Sequence, residues 1–249
     1  MKILVCLSVV PDTTTQIRFS GTMDALDTTG IQWIINPWDE LALTRALEIR
    51  EQPDSGVTQV SVIHVGQKES EPVMQKALAV GADSAFRISH SPVDSFEVAT
   101  QIAGFLGNQP FDLILTGHDS ADYNGSAVGE MLAEMLGLTS FSSVSSLSIS
   151  GSAITAEREN DNRTETITAH PGCVMTIQKG IAKDPRIPSL RGIMGARSKP
   201  LTVIEPVAGD PLTRLVRFEN PAPRMKCRMI DPSNTAELVS LLRNEANVL

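Results

Sequence analysis

The sequence predicts a doubly wound α/β protein in which a mostly parallel sheet, covered by helices on both faces, gains an antiparallel extension. Three observations carry that expectation. Strand-like and helix-like runs alternate over residues 1 to about 140. The strand-like runs are apolar throughout, as strands buried on both faces must be. Beyond Leu138 the texture changes to alternating Ser/Thr-rich runs punctuated by turn residues. A chain of 249 residues with 41% apolar content has enough material for a packed core.

The opening run KILVCLSVV is β-rich and is expected to form a first buried strand. It lacks the charged flank and small-residue cleavage site of a secretion signal, and PDTTTQ follows at once. NPWDELALTRALEIRE carries a full set of helix signals. Asn36 is placed to cap, Pro37 suits the first turn, Asp39 and Glu40 suit the positive end of the dipole, and Trp38, Leu41, Ala42, Leu47 and Ile49 supply an apolar stripe. VTQVSVIHV is the next strand. EPVMQKALAVGAD is a helix stopped by Gly81, with Val73, Met74, Ala77 and Leu78 as core, and AFRIS returns as a strand.

PVDSFEVATQIAGFLGN places Phe96, Ala99, Ile102 and Phe105 at helical spacing before Gly107. DLILTG is short, apolar and glycine-terminated, and the helix after it carries Val128, Met131, Leu132, Met135 and Leu136. SSVSSLSISG, AITAERE, TETITAH and CVMTIQ read as the antiparallel extension, with turns at Gly151 and at Asn160-Asp161-Asn162. LTVIE is a last strand. NTAELVSLLRNEA is a last helix, capped by Asn234 or Thr235. Residues 1–204 are thus expected as one α/β domain. Residues 205–249 are expected as a C-terminal arm and helix that pack on a partner.

Composition excludes several roles. A formal charge of −8 argues against a nucleic-acid backbone or an anionic membrane as main partner. With 4% aromatic residues, base-stacking platforms are not expected. No run reaches the roughly 20 apolar residues of a membrane span. Cys6, Cys173 and Cys227 are odd in number and far apart, which suits a reducing cytoplasm without a disulfide framework.

In open α/β sheets ligands bind beyond the carboxyl ends of the strands. The loop GHDSADYNGSAVG, between a strand and a helix, would offer the N–H groups around Gly125 and Ser126 to an anion such as phosphate. Asp119 and Asp122 would cap the helix or accept from a ribose hydroxyl. There is no G-x-G-x-x-G, Walker loop or G-x-S-x-G elbow, and His64, His90, His118 and His170 lack metal-ligand spacing. His64 reads as a hydrogen-bonded structural histidine and Cys6 as a small apolar residue. The segment DPRIPSLRGIMGARSKP, Asp184 to Pro200, is proline-bounded and cationic through Arg186, Arg191, Arg197 and Lys199. It belongs at the surface with Leu190, Ile193 and Met194 partly exposed.

Taken in order, NPWDELALTRALEIRE, ALAVGAD, DLILTGHDSADYNGSAVGEMLAEMLG and DPRIPSLRGIMGARSKP resemble the β subunit of electron transfer flavoproteins over most of residues 1 to 203. The resemblance implies a Rossmann-like, adenine-nucleotide alpha-hydrolase-like fold and a heterodimer whose α subunit holds most of an FAD. It implies an electron carrier without substrate turnover of its own. Electrons would pass from flavin dehydrogenases of the acyl-CoA kind, as in fatty acid β-oxidation, to a quinone oxidoreductase. An AMP in β, or a second FAD in its place, would contact Cys6, Asn36, Val65, Gly117 and Asp122. Its phosphate would meet Gly125, Ser126, Ala127 and Val128. Ala127 stands where the family commonly has Gln, which removes side-chain contacts but leaves the backbone donors. Asp12 and Thr13 would line the flavin edge, although Ser8 and Thr13 stand where many members have Lys and some have Tyr. Leu190, with Arg191, Ile193 and Met194 beside it, would be the knob that docks on partner dehydrogenases. A stand-alone adenine-nucleotide-binding regulatory module is the competing class, and it leaves DPRIPSLRGIMGARSKP without a use.

Overall fold

The computed structural model describes residues 1–161, 163–223 and 227–249. Its elements are β1 (Lys2–Cys6), β2 (Val9–Pro11), β3 (Trp33–Ile35), α1 (Pro37–Arg50), β4 (Gln59–Val65), α2 (Glu71–Val80), β5 (Ser84–Ile88), α3 (Ser95–Leu106), β6 (Leu113–Gly117) and α4 (Val128–Leu136). There follow β7 (Thr139–Ser150), β8 (Ala153–Asn160), β9 (Arg163–Ala169), β10 (Cys173–Ile177), α5 (Leu190–Ala196), β11 (Leu201–Ile204) and α6 (Thr235–Asn244).

Nine strands form one sheet in the order β11-β5-β4-β1-β6-β10-β7-β8-β9. From β11 through β7 every pairing is parallel, and β7-β8-β9 is antiparallel. The apolar runs obey the period of two. Ile3 and Val5 face a core shared with α1 and α2, while Leu4 and Cys6 face a second core shared with α3 and α4. Both cores exist because a parallel sheet must bury both faces.

Several expectations need correcting. KILVCLSVV is not one strand: β1 ends at Cys6, and Val9–Pro11 pairs with Trp33–Ile35 in a separate antiparallel ribbon. CVMTIQ does not belong to the antiparallel extension, because β10 sits parallel between β6 and β7 inside the sheet. Its five buried residues show why, since an edge strand would alternate. The proline-bounded segment is not all loop, for Leu190–Ala196 is helical. Asn162 of the expected turn lies outside the described residues.

Helix α1 is buried more widely than a single stripe. Asp39, Leu43, Thr44 and Ala46 join Ala42, Leu47 and Ile49 inside, while Trp38 and Leu41 are only half-buried. The connection from β10 to α5 covers the outer face of α1. There the Arg186 N–H donates to Thr44 Oγ1 at 2.9 Å, and the Arg186 guanidinium forks onto both Glu51 oxygens at 2.8 and 2.6 Å. Asn36 holds the N-cap position but makes no side-chain cap bond. Asn234, by contrast, does cap α6, accepting from Glu237 N. The segment before α6 is not detached from the domain: Gln101 pairs through its side-chain amide with both the N–H and the carbonyl of Val207, each at 2.8 Å.

Candidate functional site

The chain order reverses across β1: β4 and β5 are laid down on one side of it, then β6 and β10 on the other. The crevice at such a reversal is where open α/β sheets take ligands. Here a cavity of about 460 Å³ opens at the carboxyl ends of β1, β4 and β6. Of the residues expected to meet a nucleotide, Cys6, Val65, Gly117, Asp122, Gly125, Ser126, Ala127 and Val128 all line it.

Asn36 is brought to the same place in a different role. It is fully buried beneath the loop after β6, donating from Nδ2 to the Asp119 carbonyl at 2.8 Å and accepting at Oδ1 from the Ala121 N–H at 3.1 Å. The side chain that looked like a helix cap is the pin of the cavity wall. Asp39, in the first turn of α1 as expected, has a second use through its acceptors. Its carboxylate takes the N–H of Ser8 at 2.6 Å and that of Gly117 at 2.8 Å, so it ties the ends of β1 and β6 together. Burial pushes its pKa up to about 7, against the pull of those N–H bonds.

The remaining wall is built around α4. Asn124 and Ser126 take left-handed φ values of 49° and 45° on either side of Gly125. Such backbone is uncommon outside glycine and concentrates where a site over-determines it. Among the described residues no side chain caps α4, which leaves its first N–H groups without that partner, and Val128 at its start lines the cavity. Thr116 Oγ1, buried at the cavity floor, has no hydrogen-bond partner among the described residues. An oriented anion-and-polyol site fits this set of donors and acceptors. His64 donates from Nδ1 to the Leu7 carbonyl at 2.9 Å, and burial holds its pKa below the ordinary value. Burial also pushes the Cys6 thiol up, away from any nucleophilic role.

At the opposite end of the sheet, α5 lies on the last turn of α2. A Cβ on Gly192 would strike the Ala79 carbonyl oxygen, so glycine sets the contact. Ser189 caps α5 through the Gly192 N–H at 3.0 Å, and Lys199 Nζ donates to the Leu78 and Ala82 carbonyls at 2.9 and 2.7 Å. Arg186 and Lys199 are thereby committed inside the chain, which leaves Arg191 and Arg197 at the surface. Ala196 is the one buried residue of α5, whereas Leu190 is 78% and Met194 72% exposed. Ile193 is exposed as well.

A profile of the Electron transfer flavoprotein domain matches residues 25–208. The chain belongs to the electron transfer flavoprotein family. It is 34% identical over 234 residues to the electron transfer flavoprotein subunit beta of Bacillus subtilis (strain 168), covering 88% of this chain and 90% of that one. To the subunit beta of Syntrophomonas wolfei it is 30% identical over 223 residues, 89% and 86% of the two chains. To that of Bradyrhizobium diazoefficiens it is 28% identical over 252 residues and the full length of both. An electron-transfer role and association with a flavin follow from membership of the family.

Asp12 and Thr13 are not brought to the main cavity. Asp12 borders a second, polar depression with Arg18 and Asp27, and its Oδ1 accepts from Thr14 N and Oγ1. Among the described residues no cluster of His, Cys, Asp or Glu is arranged for a metal, and no helix is long and apolar enough to cross a membrane. Residue patterns missed Asp39, Thr116, Asp94 and the arm residues Thr213, Arg214 and Leu215, all of which line the cavity. An aspartate in the first turn of a helix that follows a strand was the available signal for the first. Nothing local marks the arm residues.

Proposed function

We propose that this chain is the β subunit of a heterodimeric electron transfer flavoprotein. It accepts electrons from flavin dehydrogenases of the acyl-CoA kind and passes them to a quinone oxidoreductase, with no substrate turnover of its own. An FAD gripped mainly by the α subunit supplies the redox chemistry, and this chain closes one side of its site. Asp12 and Thr13 are assigned to the flavin edge. The main cavity is assigned to AMP: its volume falls within the roughly 300–1,000 Å³ of small-molecule sites. Its apolar flank of Val65, Val98 and Ile102 suits a base, and its polar flank at α4 suits a phosphate.

The observation that carries the reading is α5. Capped, glycine-docked and clamped at both flanks, it presents Leu190 and Met194 to solvent with little left to order on docking. Arg191 and Arg197 add a cationic rim that favours an acidic partner. Helix α6 supports the heterodimer, since none of its residues is buried and Leu238 and Val239 stand exposed. Residues 205–249 are accordingly read as the arm that reaches the α subunit, and residues 1–204 as the domain. Three separate thiols outside any disulfide support a cytoplasmic setting.

Co-expression with an α subunit tests the reading. A yellow heterodimer holding one FAD and one AMP is expected, and a colourless stand-alone protein would overturn it. Burying one leucine is worth roughly 1.5–3 kcal/mol, so Leu190→Ala should slow reduction by the dehydrogenase about ten- to a hundredfold with flavin absorbance intact. Unchanged kinetics would remove the docking role.

A further inference from the structure

One wall of the cavity does not come from the sheet. Thr213, Arg214 and Leu215, from the arm, line it beside Asp94 at the start of α3. The arm reaches this position by two ties to α3. The first is the reciprocal pair between Gln101 and the Val207 backbone, with Val207 seated against Gly104, where a Cβ would come within 2.8 Å of it. The second is Asp94. Its Oδ1 caps α3 through the Glu97 N–H at 2.9 Å, while Oδ2 accepts from Leu212 N and Thr213 N at 2.8 Å each and from Thr213 Oγ1 at 3.1 Å. Past Arg214 the chain is tied again, with Phe218 stacked on Phe19 at 4.6 Å and its N–H on the Met23 carbonyl.

The charges give the segment a purpose. Asp39, Asp94, Asp119 and Asp122 line the cavity, and Arg214 is the one Lys or Arg of that lining among the described residues. Asp39 is buried with its pKa raised to about 7 and Asp94 is occupied by N–H donors, but an entering anion still meets the carboxylates of Asp94, Asp119 and Asp122. The N–H groups at the start of α4 offset part of that field; a cation in the lining is what completes it. Asp119 and Asp122, on the loop pinned by Asn36, remain as acceptors for hydroxyl groups.

We propose that Leu212–Leu215 is a strap across this cavity and that Arg214 recognises the phosphate of a nucleoside monophosphate, drawing the strap shut. The proposal rests on the nucleotide reading given above and adds to it the residue that selects the phosphate and the segment that responds. The strap is poised for such a response because its ties are solvent-exposed hydrogen bonds, which open readily. A ligand that contacts Arg214 adds protection there in proportion to its occupancy.

Calorimetric titration of the full-length chain, freed of bound nucleotide, with AMP and with adenosine tests both parts. A charge-assisted contact predicts that Arg214→Ala weakens AMP about ten- to a hundredfold while adenosine binding changes less than about twofold, and that Arg214→Lys recovers part of the loss. AMP, but not adenosine, should slow hydrogen exchange at the Leu212 and Thr213 amides. If Arg214→Ala binds AMP as the wild type does, the strap proposal falls and the nucleotide pocket stands. Weakened binding with unchanged exchange would also overturn the strap, leaving Arg214 as a charge on a fixed rim. If the wild type binds neither compound, the nucleotide reading itself fails and the strap goes with it.

Discussion

Replacing Asn36 by serine separates two roles that the same residue type can play. As an N-cap, serine is as good as asparagine, and a cap would tolerate the change at a cost near zero. As the pin under the loop after β6, serine is too short to reach both the Asp119 carbonyl and the Ala121 N–H, which Asn36 engages at 2.8 and 3.1 Å. Each lost neutral hydrogen bond costs about 1 kcal/mol, more where its partner stays buried. The carbonyl of Asp119 and the N–H of Ala121 lie on a surface loop that water can reach, so the lower end of the range applies. The expected loss is about 2 kcal/mol, read as a fall of about 1 M in the urea midpoint at an m-value of about 2 kcal/mol/M. Exchange at the Ala121 amide should accelerate, and AMP affinity should fall with it because the loop forms the cavity wall. A urea midpoint within about 0.2 M of the wild type would refute the pin and restore the cap.

Two further outcomes follow from the geometry. Gly192→Ala places a methyl group against the Ala79 carbonyl oxygen, a backbone atom that cannot yield, at a typical overpacking cost of about 1–3 kcal/mol. Reduction by the dehydrogenase should drop as in Leu190→Ala although the leucine is intact, and normal rates would show that α5 tolerates being lifted. Asp39 gives an unusual pH dependence. Its folded pKa, about 7, lies above the ordinary 3.8, so between those values the folded chain holds more protons than the unfolded one. Stability from this group is therefore present at low pH and is lost as pH rises towards 7 and beyond. Urea midpoints should fall between pH 5 and about 7.5 in the wild type, and Asp39→Asn should flatten that slope; an equal slope in both would assign it elsewhere.

The fold was legible where pattern and environment coincide. Leu113–Thr116 reads as a doubly buried strand because nothing but such a strand needs four consecutive apolar or small residues ended by glycine. CVMTI carries the same signature, yet its place between β6 and β7 depends on a long return of the chain that no local window contains. At the site, residues borne by strand ends and by the loop before α4 could be placed because the connectivity rule for open sheets locates the crevice. Asn36 was visible but misassigned as a cap, and Asp39, in the first turn of α1 as expected, has a second use that shows only when the facing loop is seen. Thr213 was invisible for a different reason, and Arg214 beside it: Asp94, the partner of Thr213, is more than a hundred positions away, and exposed hydrogen bonds leave no periodic trace.

The stretch from Gln178 to Pro200 links a strand in the middle of the sheet to one on its rim, passing β6, β1, β4 and β5 on the way. At about 4.8 Å per step that is a span of roughly 24 Å, well within the reach of the chain and moored to α1 and α2 en route. Moorings, not chain tension, therefore hold Leu190 in place. A force on that side chain is resisted along the whole segment, by the ties to α1 and α2 and by the pairing of β11 with β5.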